Sequence, residues 1–143
     1  MIQRNFKPGI SPIEWNFIHP QVQAMFNYMQ WIWNEAGFDL VITSMIRPAG
    51  TIKGESGVHA TGRALDCVPR RRMDGFMRLD SDEMQDYCQL IESLVEYTFK
   101  RADGKRSCIY HNHRGGGWHF HLQWHAGAGW RDLQGVVPKA PEE

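Results

Sequence analysis

From Trp118 to Trp124 the residues alternate between apolar and polar without a break. Successive side chains of a β-strand point to opposite faces. One face would therefore carry Trp118, Phe120, Leu122 and Trp124, and the other His119, His121, Gln123 and His125. The apolar face explains how such a strand packs. A row of imidazoles is an unusual way to fill the second face. Same-face neighbours lie only about 7 Å apart along a strand, so His119 and His121 can serve one site. A solvent-facing polar row on an edge strand is the plainer alternative.

The rest of the chain supplies partners for that strand. Pro12 to Pro20 reads as an irregular lead-in. Val22, Met25, Phe26, Met29, Ile32, Trp33 and Ala36 recur at helical spacing, and Gly37 supplies the stop. Asp39 to Ile46 is a β-rich strand ended by Arg47-Pro48-Ala49-Gly50, and a polar loop runs from Thr51 to Gly57. Ala64 to Val68 predicts a short strand. Asp80 or Ser81 caps a second helix whose buried face is Met84, Cys88, Ile91, Leu94, Val95 and Thr98. Ser107 to Tyr110 and Trp118 to Trp124 read as two more strands, joined by a flexible connection through His111-Asn112-His113 and Gly115-Gly116-Gly117. The order predicts an α+β domain: a small, mostly antiparallel sheet packed against two main helices. At 143 residues the chain is expected to form one domain, with a core of about residues 12–126 and a tail at 127–143.

Composition removes several function classes. Sixteen basic and sixteen acidic side chains cancel, which argues against electrostatic capture of nucleic acid. The run Arg70-Arg71-Arg72 reads as a solvated loop. No apolar run reaches membrane-spanning length, so no membrane insertion is expected. Met1 to Lys7 lacks the apolar stretch of a secretion signal, which predicts synthesis and folding in a cytoplasm. Cys67, Cys88 and Cys108 have neither the pairing nor the spacing of a disulfide framework or a thiolate metal site, and read as buried small apolar residues.

A second motif lies in Ser56-Gly57-Val58-His59-Ala60-Thr61-Gly62-Arg63-Ala64-Leu65-Asp66. Gly62 would let the chain turn sharply between His59 and the strand that follows. Asp66 would share a face with Ala64, flanked by Leu65, Cys67 and Val68. A carboxylate in that setting needs a cation or several donors. Arg63 or Arg47 can supply a simple salt bridge. A metal ion also held by His59 and a histidine of the last strand meets the same need. Two imidazoles and one carboxylate form a three-ligand set for one Zn2+ ion with a position left open, where bound water acquires a pKa of roughly 7. His119 and His113 are the candidate bases, and Arg47 the candidate clamp for an oxyanion or a carboxylate.

These residues resemble the zinc peptidases that share a fold with the Hedgehog signalling domain: D-alanyl-D-alanine carboxypeptidases, VanX- and VanY-type dipeptidases, and phage endolysins that cut the L-alanyl-D-glutamate bond. The family pattern S-x-H-x-x-G-x-A-x-D is met in register by His59, Gly62, Ala64 and Asp66, and its closing H-x-H by His119-Phe120-His121. Ile42 to Arg47 resembles the strand that ends in the family's substrate-binding arginine. The likeness runs from about Asp39 to Gln123. It implies a DD-peptidase-like fold, zinc ligands at His59, Asp66 and His121, and hydrolysis of peptidoglycan stem peptides. Arg47 and Ser56 would bind substrate, and the chain would act as a monomer on the cell wall, as an endolysin does after phage-assisted release.

The sequence departs from the pattern in two places. The serine slot holds Gly57, with Ser56 beside it, and the family's acid–base glutamate falls within Gly115-Gly116-Gly117. His113 or His119 would then handle protons. The W-H form of the motif would make His119 the ligand, whereas the H-x-H form selects His121, which is favoured here because Leu122-Gln123 continues as the H-x-H relatives do. A Hedgehog-like binding module that keeps the metal and lacks catalysis is the alternative function.

Overall fold

The computed structural model describes residues 4–46, 59, 61–72, 81–112 and 117–125. Five strands form one sheet: β1 (Asn5–Phe6), β2 (Phe38–Ser44), β3 (Ala64–Arg71), β4 (Cys108–Asn112) and β5 (Trp118–Gln123), in the order β1-β2-β3-β5-β4. Only the β1–β2 pair is parallel. Two helices, α1 (Pro20–Glu35) and α2 (Asp82–Thr98), complete the expected α+β arrangement.

Helix α1 starts where His19 accepts from the Gln21 N–H through Nδ1 at 3.1 Å, with Pro20 in the first turn. Burial pushes the His19 pKa down, and the nearby His125 and Arg63 add to the effect, which suits a ring nitrogen acting as an acceptor. Val22, Met25, Phe26, Met29 and Trp33 form the buried stripe. The helix ends at Ala36, and Gly37 takes a φ of +86° that glycine tolerates best. Trp33 then meets Phe38 of β2, Tyr87 of α2 and Phe120 of β5 edge-on, at centroid distances of 5.2, 5.3 and 6.1 Å. One indole thus joins both helices to the sheet. The predicted alternation of β5 is present: Phe120 and Leu122 are fully buried, while Trp118 lies half-exposed and stacks on Tyr110.

Five expectations change. Residues Pro12–Phe17 form a 3-10 helix rather than an irregular lead-in. Strand β3 runs on to Arg71, because beyond Cys67 it has a partner on one side only, the setting in which a strand accommodates Pro69. Arg70 and Arg71 therefore lie in a strand and not in a solvated loop. Arg70 pairs with Asp39 at 3.6 Å, and Arg72 donates to the Asn34 carbonyl at 2.7 Å, pinning the end of α1. In α2, capped by Ser81 through Met84 N–H, the buried stripe is Met84, Cys88, Ile91 and Val95. Leu94 and Thr98 are exposed; Leu94 lies one residue, about 100° of rotation, before the buried Val95. His111 and Asn112 belong to β4 rather than to the connection.

Helix α2 also closes the sheet at β4. Glu96 Oε2 accepts from the N–H groups of Ser107 and Cys108 at 2.8 and 3.0 Å and from the Ser107 hydroxyl at 3.0 Å. Glu92 Oε2 accepts from the Tyr110 N–H and pairs with Arg106 at 3.3 Å. The outer amides of Cys108 and Tyr110 on this edge strand are thereby satisfied by helix side chains.

Candidate metal centre

The face of the sheet away from the helices is built by register. Asp66 of β3 lies directly opposite His121 of β5, and Ser44 of β2 opposite Asp66 across a bulge. Directly opposed residues put their Cβ atoms about 4.5–5.5 Å apart. The pairing therefore delivers the carboxylate to the imidazole: His121 Nδ1 lies 2.8 Å from Asp66 Oδ1. His59 arrives from the turn before β3. Gly62, with a φ of +70°, donates its N–H to the His59 carbonyl at 3.2 Å, which is the sharp turn expected there. The buried His59 ring then lies with Nε2 3.5 Å from Asp66 Oδ2.

The far sides of both rings are held as well. His59 Nδ1 lies 2.7 Å from the Met45 carbonyl, an obligate acceptor, so Nδ1 carries a proton and Nε2 is the nitrogen that would offer its lone pair to a metal beside Asp66. At His121 the orientation of Gln123 decides. The Gln123 amide nitrogen donates to the Arg106 carbonyl at 2.8 Å, which leaves Oε1 facing His121 Nε2 at 3.0 Å. Nε2 is then a donor, and Nδ1 is the nitrogen aimed at the shared point. Each imidazole has one nitrogen anchored by an oxygen and the other directed inward, as metal-ligating histidines do.

His59, Asp66 and His121 place their ligand atoms within 4.8 Å of one another and form a possible metal-binding triad. The ring spacing fits that use. Two imidazoles on one tetrahedral ion, with metal–nitrogen bonds of about 2.0–2.1 Å and about 1.1 Å more to each ring centre, have centroids roughly 5 Å apart. Those of His59 and His121 are 5.2 Å apart. Asp66 suits the same role. Burial alone would raise its pKa, but hydrogen bonds that the inner nitrogens of His121 and His59 donate when no metal is bound outweigh that and hold the carboxyl far below the ordinary carboxylate range. Arg63, one of the two arginines considered as a plain counter-ion, directs Nε to Thr61 Oγ1 at 2.9 Å.

His119 lies on the same face but outside the triad. Its Nδ1 is 3.0 Å from the Gly117 carbonyl, and its ring meets His111 of β4 at a centroid distance of 4.7 Å. Arg47, Ser56 and His113 lie outside the described residues. Two contributors were given no role in the sequence reading. The Met45 carbonyl carries no side-chain signal. Gln123 does carry one: it stands two residues beyond His121, on the same face by strand alternation.

Gln123→Leu is expected to weaken metal binding by about 10–100-fold, because the His121 ring loses the acceptor that orients it. A competition titration against a chromogenic chelator measures this; unchanged affinity would mean that Gln123 does not orient the ring. No protein-family model, curated protein or solved structure matches the chain, so the site stands on its own geometry.

Proposed function

We propose that this chain is a zinc-dependent peptidase acting on the stem peptides of bacterial peptidoglycan, with a Hedgehog/DD-peptidase-like arrangement of its site. The observation that carries the reading is the convergence of His59, Asp66 and His121, each imidazole held by its outer nitrogen. Two imidazoles and a carboxylate suit zinc among the available divalent ions. Zinc held there supplies Lewis acidity toward an amide carbonyl and activates water near neutral pH.

The chain's own residues supply the rest. The Met45 carbonyl and Gln123 keep the two rings in their orientation, and Asp66 adds the negative charge that draws a cation to a largely buried position. His119 holds its proton at Nδ1 against the Gly117 carbonyl, leaving Nε2 to accept a proton from water and return one to the leaving amine. Arg47 and Ser56 are assigned substrate binding by the resemblance of their motifs, and His113 a second proton-handling role by its place beside the glycine run in the sequence. The glycines where the family has its glutamate favour a second reading, a metal-bearing binding module that cuts nothing.

Purified peptidoglycan incubated with zinc-loaded protein is expected to yield new fragments by mass spectrometry, absent after chelator treatment. Their masses distinguish D,D-carboxypeptidase from L-alanyl-D-glutamate endopeptidase cleavage. Intact peptidoglycan beside a zinc-bound protein would replace the peptidase reading with the binding module.

A further inference from the structure

Next to the triad, on the same face of the sheet, a second pair of imidazoles meets. His111 of β4 and His119 of β5 are direct cross-strand partners, and each ring is partly buried. Their centroids are 4.7 Å apart with the planes at 63°. His119 repeats the device seen at His59: a backbone carbonyl, here that of Gly117, engages Nδ1, so the neutral ring keeps its lone pair at Nε2. For two imidazoles on one ion the centroid separation is roughly 4.5 Å at a right angle between the bonds and roughly 5 Å at a tetrahedral one. The observed spacing falls between the two.

We propose that His111 and His119 form a second site for a divalent transition-metal ion, separate from the triad. Imidazole-only donors suit the later first-row ions, and the general affinity order puts Cu2+ first among them. The site is separate because the nitrogens of the neighbouring His121 are directed to Asp66 and Gln123, although its ring centre is only 6.2 Å from that of His111. With two protein ligands and solvent completing the shell, it is the weaker of the two sites. The short β4–β5 pairing brings the rings together, and no part of this depends on the chain being a peptidase.

The test is a titration of the full chain with Cu2+ after loading with one equivalent of Zn2+, followed by calorimetry and electron paramagnetic resonance. The expected result is one equivalent of copper bound beyond the metal that fills the triad, whether that metal is zinc or copper that has replaced it, and a spectrum split by two equatorial nitrogens. His111→Ala and His119→Ala should each lose that further equivalent and keep the metal of the triad, while His125→Ala should keep both. Copper bound undiminished by His111→Ala, or copper that only displaces zinc, would overturn the proposal. The nitrogen count is read on His59→Ala, whose triad keeps only one imidazole: splitting from two nitrogens there places the copper on His111 and His119, and splitting from fewer overturns the proposal. If zinc fails to bind, the same copper titration on metal-free His59→Ala still tests the pair, so failure of the triad and failure of this site are told apart.

Discussion

Asp66→Ala is expected to lower zinc affinity by about 10²–10³-fold. Structural zinc sites with four ligands bind with about 10–16 kcal/mol, or roughly 3–4 kcal/mol per ligand, and each 1.4 kcal/mol is tenfold. Asp66 is the only charged ligand of the three, and it bridges the two imidazoles at 2.8 and 3.5 Å. His121→Ala should cost a similar factor, whereas His119→Ala should leave the first zinc in place. Competition against a fluorescent chelator measures all three. Full occupancy in the His121 variant would show that His119 is the ligand.

The metal-free protein offers an independent check on Asp66. Its folded pKa is depressed, so its contribution to stability is complete above the unfolded value of about 3.9 and is lost as pH falls toward the folded value. Urea midpoints of Asp66→Ala should accordingly vary less with pH below about 5 than those of the unsubstituted chain. Parallel profiles would mean that the carboxylate is not held by the two rings.

Trp33→Ala is expected to destabilise the fold by about 3–5 kcal/mol, the usual cost of emptying a large aromatic position in a core. Trp33 is fully buried and touches an aromatic ring on β2, α2 and β5. A domain of this kind has only about 5–15 kcal/mol to lose. With a urea slope of about 2 kcal/mol/M, the midpoint should fall by about 2 M. Trp33→Phe should cost far less, since the indole N–H has no hydrogen-bond partner among the described residues. Trp31, two residues away on the same helix, is 56 % exposed, and Trp31→Ala should change stability by no more than about 0.5 kcal/mol. Equal losses at both tryptophans would contradict the packing described for α1.

The contrast between those tryptophans shows what the chain's pattern makes legible. Helical spacing placed Trp33 in the buried stripe of α1, and strict alternation placed Phe120 and His121 on opposite faces of β5. Spacing within one element was enough for both. Pairing between elements was not readable in the same way. That Asp66 stands opposite His121, and His111 opposite His119, follows from strand register, which depends on every contact in the sheet. His111 looked like part of a connection because nothing local marks it as strand. The arginine run misled for a related reason: its partners, Asp39 and Asn34, are more than thirty residues away in the chain. Leu94 is apolar and at helical spacing, yet α2 buries a narrower stripe than its composition suggests.

The carboxylates of Glu92 and Glu96 have a consequence for any extended chain that meets the β4 edge. An extended chain commonly docks by joining an open sheet edge and borrowing its amides. Along Cys108–Tyr110 those amides are already occupied by α2. Under the proposed peptidase reading a substrate would gain nothing from the amides of Cys108 and Tyr110, and the same arrangement denies that stretch of edge to fibril-forming neighbours.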